Sequence, residues 1–339
     1  MQIHTQVDLF PYNTFGIHHK AKYFTEIHSV EDAQALFVMD LFKSNRYLFL
    51  GGGSNLLFTK DFDGLVIKVA INGKEIIRED ENTIILKVGS GESWHDVVRY
   101  CVDKNWGGVE NLSLIPGTVG AAPIQNIGAY GVEIEKNIFE VETIEISTGK
   151  LKIFTHDECH FGYRESVFKT KLKDQFLISS ITLTLTKKNH LLHVSYGAIT
   201  DTLQQNEIKN ISIRDVSDAV IQIRSSKLPD PKKIGNAGSF FKNPSIQNDL
   251  HDFLKIQYPS MPSFPTQNSL VKISAAWLIE QCGWKGKKLN NIGVHQHQAL
   301  VLVNYGGGSG EEIWNLAMKI QASVNEKFGI ILQPEVNVL

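Results

Sequence analysis

Cysteine is scarce in this chain: three in 339 residues, Cys101, Cys159 and Cys282, with no CxxC pair. That scatter rules out a disulfide framework and argues against a sulfur-ligated metal site. No stretch is continuously apolar over the ~20 residues that a bilayer-spanning helix needs. Low-complexity runs are missing too. The opening MQIHTQVDLFPYNTF lacks a basic segment followed by an apolar one, so no secretory signal is expected there. Neither sign of charge is in excess: 34 Lys and Arg against 36 Asp and Glu leave a net charge of −2. A nucleic-acid partner calls for a broad basic field, which this balance denies. A small anionic ligand, met by a few placed cations, stays open. These absences point to a cytoplasmic protein of a reducing compartment, with neither a membrane nor a nucleic acid as partner.

The length favours two or three packed domains. YLFL from Tyr47 reads as a short buried strand running into a glycine loop, and GLVIKV (64–69) and TIILKVGSG (83–91) continue the β signal. In ESWHDVVRYCVDKN, Trp94, Val97, Val98 and Cys101 recur at helical spacing. VETIEIS, LKIFT and FLISSITLTLT alternate as strands between 138 and 186, and residues 189–210 turn polar. A helix over RDVSDAVIQIRSSK ends at Lys227, where LPDPKK marks a boundary. Beyond it the pattern predicts helices near 273–282 and 311–328, a strand at ALVLVN and a last strand IILQPEVNVL. Strands and helices mix without a βαβ repeat, so the class is α+β.

Three loops concentrate the candidate chemistry. Gly51-Gly52-Gly53-Ser54-Asn55-Leu56 offers bare backbone whose amides could converge on an anion. It lacks the G-x-G-x-x-G spacing of a Rossmann turn, and alone it reads more simply as a hairpin. The second loop is Pro116-Gly117-Thr118-Val119-Gly120-Ala121-Ala122-Pro123-Ile124-Gln125-Asn126-Ile127-Gly128-Ala129-Tyr130-Gly131. Its small residues allow close approach of a flat ligand, although a tightly packed turn would also explain them. Two such loops around one small domain favour a dinucleotide-sized cofactor. In GNAGSFFKNP, Ser239 sits beside aromatic rings that could exclude water, where a hydroxyl could deliver a proton, although a serine capping a turn is the plainer reading; GxSxG is absent. Arg164 in FGYRESVFK and Glu335 in LQPEVN are lone charges in apolar or β contexts, to be paired, functional or simply exposed. His295 and His297 share a strand face but lack supporting ligands, so they read as core or surface histidines, and Trp277 and Trp284 as packing. Lys232 and Lys233 read as a solvated charge run, though they could also attract a phosphorylated ligand.

Taken in order, YNTFG, LGGGSNLLF, IPGTVGAAPIQNIGAYG, FGYRESVF, RSSKLPDP, GNAGSFFKNP and LQPEV resemble the UDP-N-acetylenolpyruvoylglucosamine reductase (MurB) family, from Tyr12 to Val336. The resemblance implies an FAD-binding module of the vanillyl-alcohol-oxidase type, with two α/β subdomains at 1–70 and 71–222. The second of these carries the tyrosine-loop insertion of the longer subgroup. An α+β substrate-binding domain would fill 223–339, its last strand returning to the active site. It implies reduction of FAD by NADPH, then hydride transfer from flavin N5 to C3 of the enolpyruvyl ether and a proton to C2. The product would be UDP-N-acetylmuramate, a peptidoglycan precursor important to cell-wall biogenesis, cell shape and division.

Matched motif to motif, Ser239 would donate the proton, with Arg164 and Glu335 stabilising the enolate-like intermediate. A carboxylate can serve there only if it carries a proton or acts through another group. FAD contacts would come from Gly51, Gly52, Gly53, Ser54, Asn55 and Leu56, and from Arg224. The second loop would add Pro116, Gly117, Thr118, Gly120, Ala121, Ala122, Pro123, Gln125, Asn126, Gly128, Ala129 and Gly131. Tyr163, Tyr196, Lys227, Gly238, Asn243 and Gln298 would hold the substrate, no metal is implied, and a monomer is expected. Gly52 stands where some relatives carry an acidic residue, and Gln333 and Asn337 remove two charges that many relatives place around Glu335. Two rival readings keep the fold: an oxidase using oxygen, and a scaffold that binds flavin without turnover.

Overall fold

The computed structural model describes residues 1–266 and 269–339. They fall into two compact units: Met1–Val7, Ala21–Gly52 and Asp63–Ser226 form the first, and Asp8–Lys20, Gly53–Phe62 and Lys227–Leu339 the second. The change of unit at Lys227 coincides with the double-proline stretch.

The first unit is built on a five-stranded sheet, ordered Leu151–Thr155, Ile138–Glu145, Phe176–Thr186, Thr83–Gly89 and Lys74–Glu79, antiparallel throughout. The middle strand, FLISSITLTLT, is buried along nearly its whole length. Its polar positions are hydroxyls rather than charges, and such groups tolerate burial when bonded. Ser179 and Ser180 donate to Glu142 at 3.0 and 3.3 Å, and Lys87 donates to the other carboxylate oxygen at 2.8 Å. The helix Trp94–Asp103 buries Trp94, Val97, Val98, Cys101 and Val102 in the same core as Ile84, Leu86, Val88 and Ile181. Cys101 and Cys159 lie in that core as well, and burial pushes both thiols up to about 12.

A four-stranded sheet, Ile3–Asp8, Lys20–Ile27, Phe62–Val69 and Tyr47–Leu50, packs the helix Val30–Phe37. Tyr47–Leu50 runs parallel to Leu65–Lys68, which delivers the chain directly into the first glycine loop. Within the polar stretch the helix Gly197–Gln205 buries Ile199 and Leu203, one turn apart, against Ala219, Val220 and Ile223 of the helix Ile213–Lys227.

The core of the second unit gathers Phe15, Leu57, Phe240, Phe241, Ile279, Leu302 and the inner face of the helix Gly310–Phe328. Trp277 packs on Tyr258 and Phe328 in the same core. A complete capping box starts the long helix: the Ser309 hydroxyl accepts from Glu312 N, and the Glu312 carboxylate accepts from Ser309 N at 2.8 Å. Ser309→Ala is expected to cost about 1 kcal/mol, read as a shift of the denaturant midpoint; an unchanged midpoint would show the cap to be idle.

The last segment, expected as one strand, is broken. Only Asn337–Val338 forms a strand, parallel to Leu56–Leu57, while Pro334 makes an isolated bridge with Phe241. Proline has no N–H to give a ladder, which explains the interruption.

Candidate functional site

In the first unit the strand Tyr47–Leu50 ends at Gly51, and Lys68 on the neighbouring strand donates its Nζ to the Gly51 carbonyl at 2.5 Å. Burial holds the Lys68 ammonium below its usual range. The two glycine-rich loops meet here. A Cβ on Gly51 would stand 2.5 Å from Thr118 Oγ1, and one on Gly52 would stand 2.8 Å from Gly117 Cα. The second loop is held from beneath: Trp94 N donates to Gly117 O at 3.0 Å, Val119 N to Glu92 O at 2.9 Å and Gly120 N to Ser90 O at 2.9 Å. Ser90 is buried, and its hydroxyl has no partner among the described residues. Bare backbone from two loops beside an orphaned hydroxyl fits a flat cofactor with phosphates. Neither Lys68 nor Ser90 was singled out from sequence. A lysine inside the apolar run GLVIKV was the available signal for the first.

Arg164 lies in a two-residue turn closed by reciprocal Gly162–Glu165 backbone bonds of 3.0 and 3.1 Å, with φ of 56°. Its Nη2 donates to Gly128 O at 2.8 Å and its Nη1 approaches Asn126 O at 3.5 Å. The half-buried guanidinium is thus oriented by carbonyls of the second loop. Tyr163 is exposed, its ring 5.5 Å from the Arg164 guanidinium. The Asn126 side chain is spent on Glu133, Gly162 and Glu135, so any contact it makes with a cofactor falls to its backbone.

Arg224 donates Nε to Leu114 O at 3.2 Å and shares a hydrogen bond with the Tyr130 hydroxyl. Burial lowers the guanidinium and raises the phenol relative to their usual values. The ring of Tyr196 meets Tyr130 edge to face at 5.3 Å. Leu114 is gripped from its other side, because its N–H donates to His95 Nδ1 at 2.9 Å. Burial pulls the His95 imidazole below its usual value, with Arg99 and Arg224 adding to the effect. A depressed histidine contributes stability that is present above the unfolded value and lost as pH falls through the folded one. Between about pH 7 and about pH 5, the wild-type melting temperature should therefore fall more steeply than that of His95→Gln, whose amide oxygen still accepts from Leu114. Parallel slopes would count against this.

In the second unit Ser239 pairs with Val301, and Phe240 N donates to Leu300 O at 2.8 Å. Glu335 N donates to Phe240 O at 2.8 Å, so hydroxyl and carboxylate rise from adjoining segments. Phe240 and Phe241, sunk in the core, anchor this stretch. Among the described residues the Ser239 hydroxyl makes no hydrogen bond. Asn55 Nδ2 donates to Glu335 O at 3.3 Å and its own carbonyl accepts from Asn337 Nδ2 at 3.0 Å, which joins Gly53–Leu56 to the final segment. Gly238 N donates to Asn236 Oδ1 at 3.0 Å. Asn243 Oδ1 accepts from Ala275 N at 2.9 Å, and Gln298 Oε1 from Leu300 N at 3.3 Å. Lys227 is exposed at a helix end. The rings of His295 and His297 lie 5.5 Å apart. Arg164 thus belongs to the first unit, and Ser239 and Glu335 to the second.

A model of the FAD binding domain matches residues 21–155, and one of the UDP-N-acetylenolpyruvoylglucosamine reductase C-terminal domain matches 230–339. The reductase of that name from Flavobacterium johnsoniae is 49% identical over 339 residues, covering all of both chains. That from Chromobacterium violaceum is 45% identical over 340 residues, covering 100% of this chain and 99% of its own. Among solved structures, the Thermus caldophilus reductase superposes with a TM-score of 0.70 at 21% identity, covering 100% of this chain and 99% of that one. The 6-hydroxy-D-nicotine oxidase of Arthrobacter nicotinovorans superposes at 0.56 with 12% identity, covering 100% and 88%. The two structures share the mixed α+β fold of this chain. With both halves matched and nearly half of all positions shared along the full length, the chain belongs to the UDP-N-acetylenolpyruvoylglucosamine reductase family.

Proposed function

We propose that this protein is an NADPH-dependent flavoenzyme that reduces the enolpyruvyl ether of UDP-N-acetylenolpyruvoylglucosamine to UDP-N-acetylmuramate. It would act as a cytoplasmic monomer in peptidoglycan precursor synthesis. The observation that supports the reading is the Glu335–Phe240 backbone bond, which joins the segment that carries Glu335 to the one that carries Ser239, whose hydroxyl makes no hydrogen bond among the described residues. FAD, held by the Gly51–Leu56 and Pro116–Gly131 segments with Arg224, supplies the hydride when bound and reduced. In this account residues 1–70 and 71–222 serve the flavin and 223–339 the sugar nucleotide.

Ser239 then delivers the proton to C2, because its Oγ–H is the donor of that segment. Arg164, its guanidinium fixed by the Gly128 carbonyl, stabilises charge developing on the enolpyruvyl carboxylate; a preorganised cation does this without reorganisation cost. Glu335 polarises the same group from the neighbouring segment. Tyr163, Tyr196, Lys227, Gly238, Asn243 and Gln298 hold the sugar nucleotide.

The test is a two-step flavin titration under argon. NADPH should bleach the yellow protein, and the enolpyruvyl sugar nucleotide should restore the colour. Colour restored by oxygen but not by that substrate would turn the assignment towards an oxidase. A flavin that NADPH cannot bleach would leave only a binding scaffold.

A further inference from the structure

We propose that Glu133 is a positioning residue for Arg164, acting through the side-chain amide of Asn126. This rests on the role of Arg164 given above. Gly128–Ala129 and Val132–Glu133 pair as a hairpin, Gly128 opposite Glu133, across a turn whose residues Tyr130 and Gly131 have φ of 50° and 80°. A Cβ on Gly128 would stand 2.8 Å from Glu133 Cγ and 3.1 Å from Arg164 Nη1. Glycine is needed there because the acid's side chain and the guanidinium pass over the same backbone position.

The link between them is Asn126, fully buried with φ of 43°. Its Nδ2 donates to Glu133 Oε2 at 2.9 Å and to Gly162 O at 3.1 Å, while its Oδ1 accepts from Glu135 N at 3.2 Å. All three hydrogen-bonding positions used are protein groups, and Gly162 closes the turn that carries Arg164. The Glu133 carboxylate therefore fixes which way the amide faces, and the amide braces the turn. Without that acceptor a buried N–H is left unpaired, a state the backbone relieves by shifting. Burial and Glu135 push the Glu133 carboxyl up, opposed by Arg164, the Asn126 bond and Lys136. A half-buried acid beside an arginine also keeps that guanidinium from swinging away.

The experiment compares Glu133→Ala and Glu133→Gln in the flavin-loaded protein. Glutamine keeps an oxygen facing Asn126 and drops the charge; alanine drops both. Glu133→Ala should lower the rate of reoxidation by the enolpyruvyl sugar nucleotide by up to about 100-fold, the cost of displacing a reacting group by about 1 Å, with reduction by NADPH within about twofold. Glu133→Gln should recover most of the loss. Amide hydrogen exchange reads the brace independently of turnover: protection at Gly162 and Glu165 should fall by about tenfold or more in Glu133→Ala and persist in Glu133→Gln. Unchanged protection at those two amides overturns the proposal. Protection lost evenly across the first unit also overturns it, since the residue would then be merely structural. A wild-type protein that the sugar nucleotide fails to reoxidise instead defeats the reaction assigned above, and the exchange result still decides the brace.

Discussion

Ser239→Ala is expected to leave reduction of the flavin by NADPH near the wild-type rate and to slow reoxidation by the enolpyruvyl substrate by ~10²–10⁴-fold, the contribution of a positioned proton donor. The asymmetry follows from chemistry, since the first half-reaction needs no proton at the substrate carbon. Nor does the substitution disturb the surroundings much. The segment is held by backbone bonds from Phe240 to Leu300 and from Glu335 to Phe240, and by two buried phenylalanines, none of which uses the Ser239 side chain. Stopped-flow absorbance of each half-reaction separates the outcomes. Equal slowing of both steps would point to damaged binding or folding, and an unslowed second step would remove Ser239 from the chemistry.

Gly52→Val should yield a colourless protein. A Cβ at this position meets the Gly117 Cα at 2.8 Å and the Gly117 carbonyl carbon at 3.3 Å. Both are backbone atoms, so no side chain can rotate away; the loops must part, and overpacking of this kind typically costs 1–3 kcal/mol before any ligand contact is lost. Because the proposed cofactor contacts come from the backbone of these two loops, separation removes them together. The flavin content of purified protein, measured from its absorbance after denaturation, checks the effect. Gly197→Ala is the matching control: nothing lies within 4 Å of its Cβ position, at the start of the helix Gly197–Gln205, so flavin content should be unchanged. Full flavin content in Gly52→Val would mean that the cofactor does not depend on this approach.

Periodicity located the elements that bury a regular face. Trp94, Val97, Val98 and Cys101 mark one helix, and the hydroxyl-rich FLISSITLTLT marks the central strand. It said less where tertiary contacts decide. Helix Gly197–Gln205 hides in a polar stretch because two residues, Ile199 and Leu203, supply much of its buried face. The final segment reads as a continuous strand by composition, yet Pro334 interrupts its pairing. Among the candidate residues, the loops and Ser239, Arg164 and Glu335 stand out as motifs, whereas the groups that brace the first unit's loops do not. His95, Ser90 and Glu133 are ordinary polar residues in sequence. Each acquires meaning only from what it faces: Leu114 N, the underside of Gly120, and Asn126.

The two core thiols of the first unit give the molecule a built-in clock. With both held at about 12, almost no thiolate exists near neutral pH to attack an alkylating reagent. Covalent capture of Cys101 or Cys159 therefore waits for that unit to open, so the mass gained over time reports its opening free energy. Cys282, in the second unit and only partly covered, keeps a separate record in the same sample.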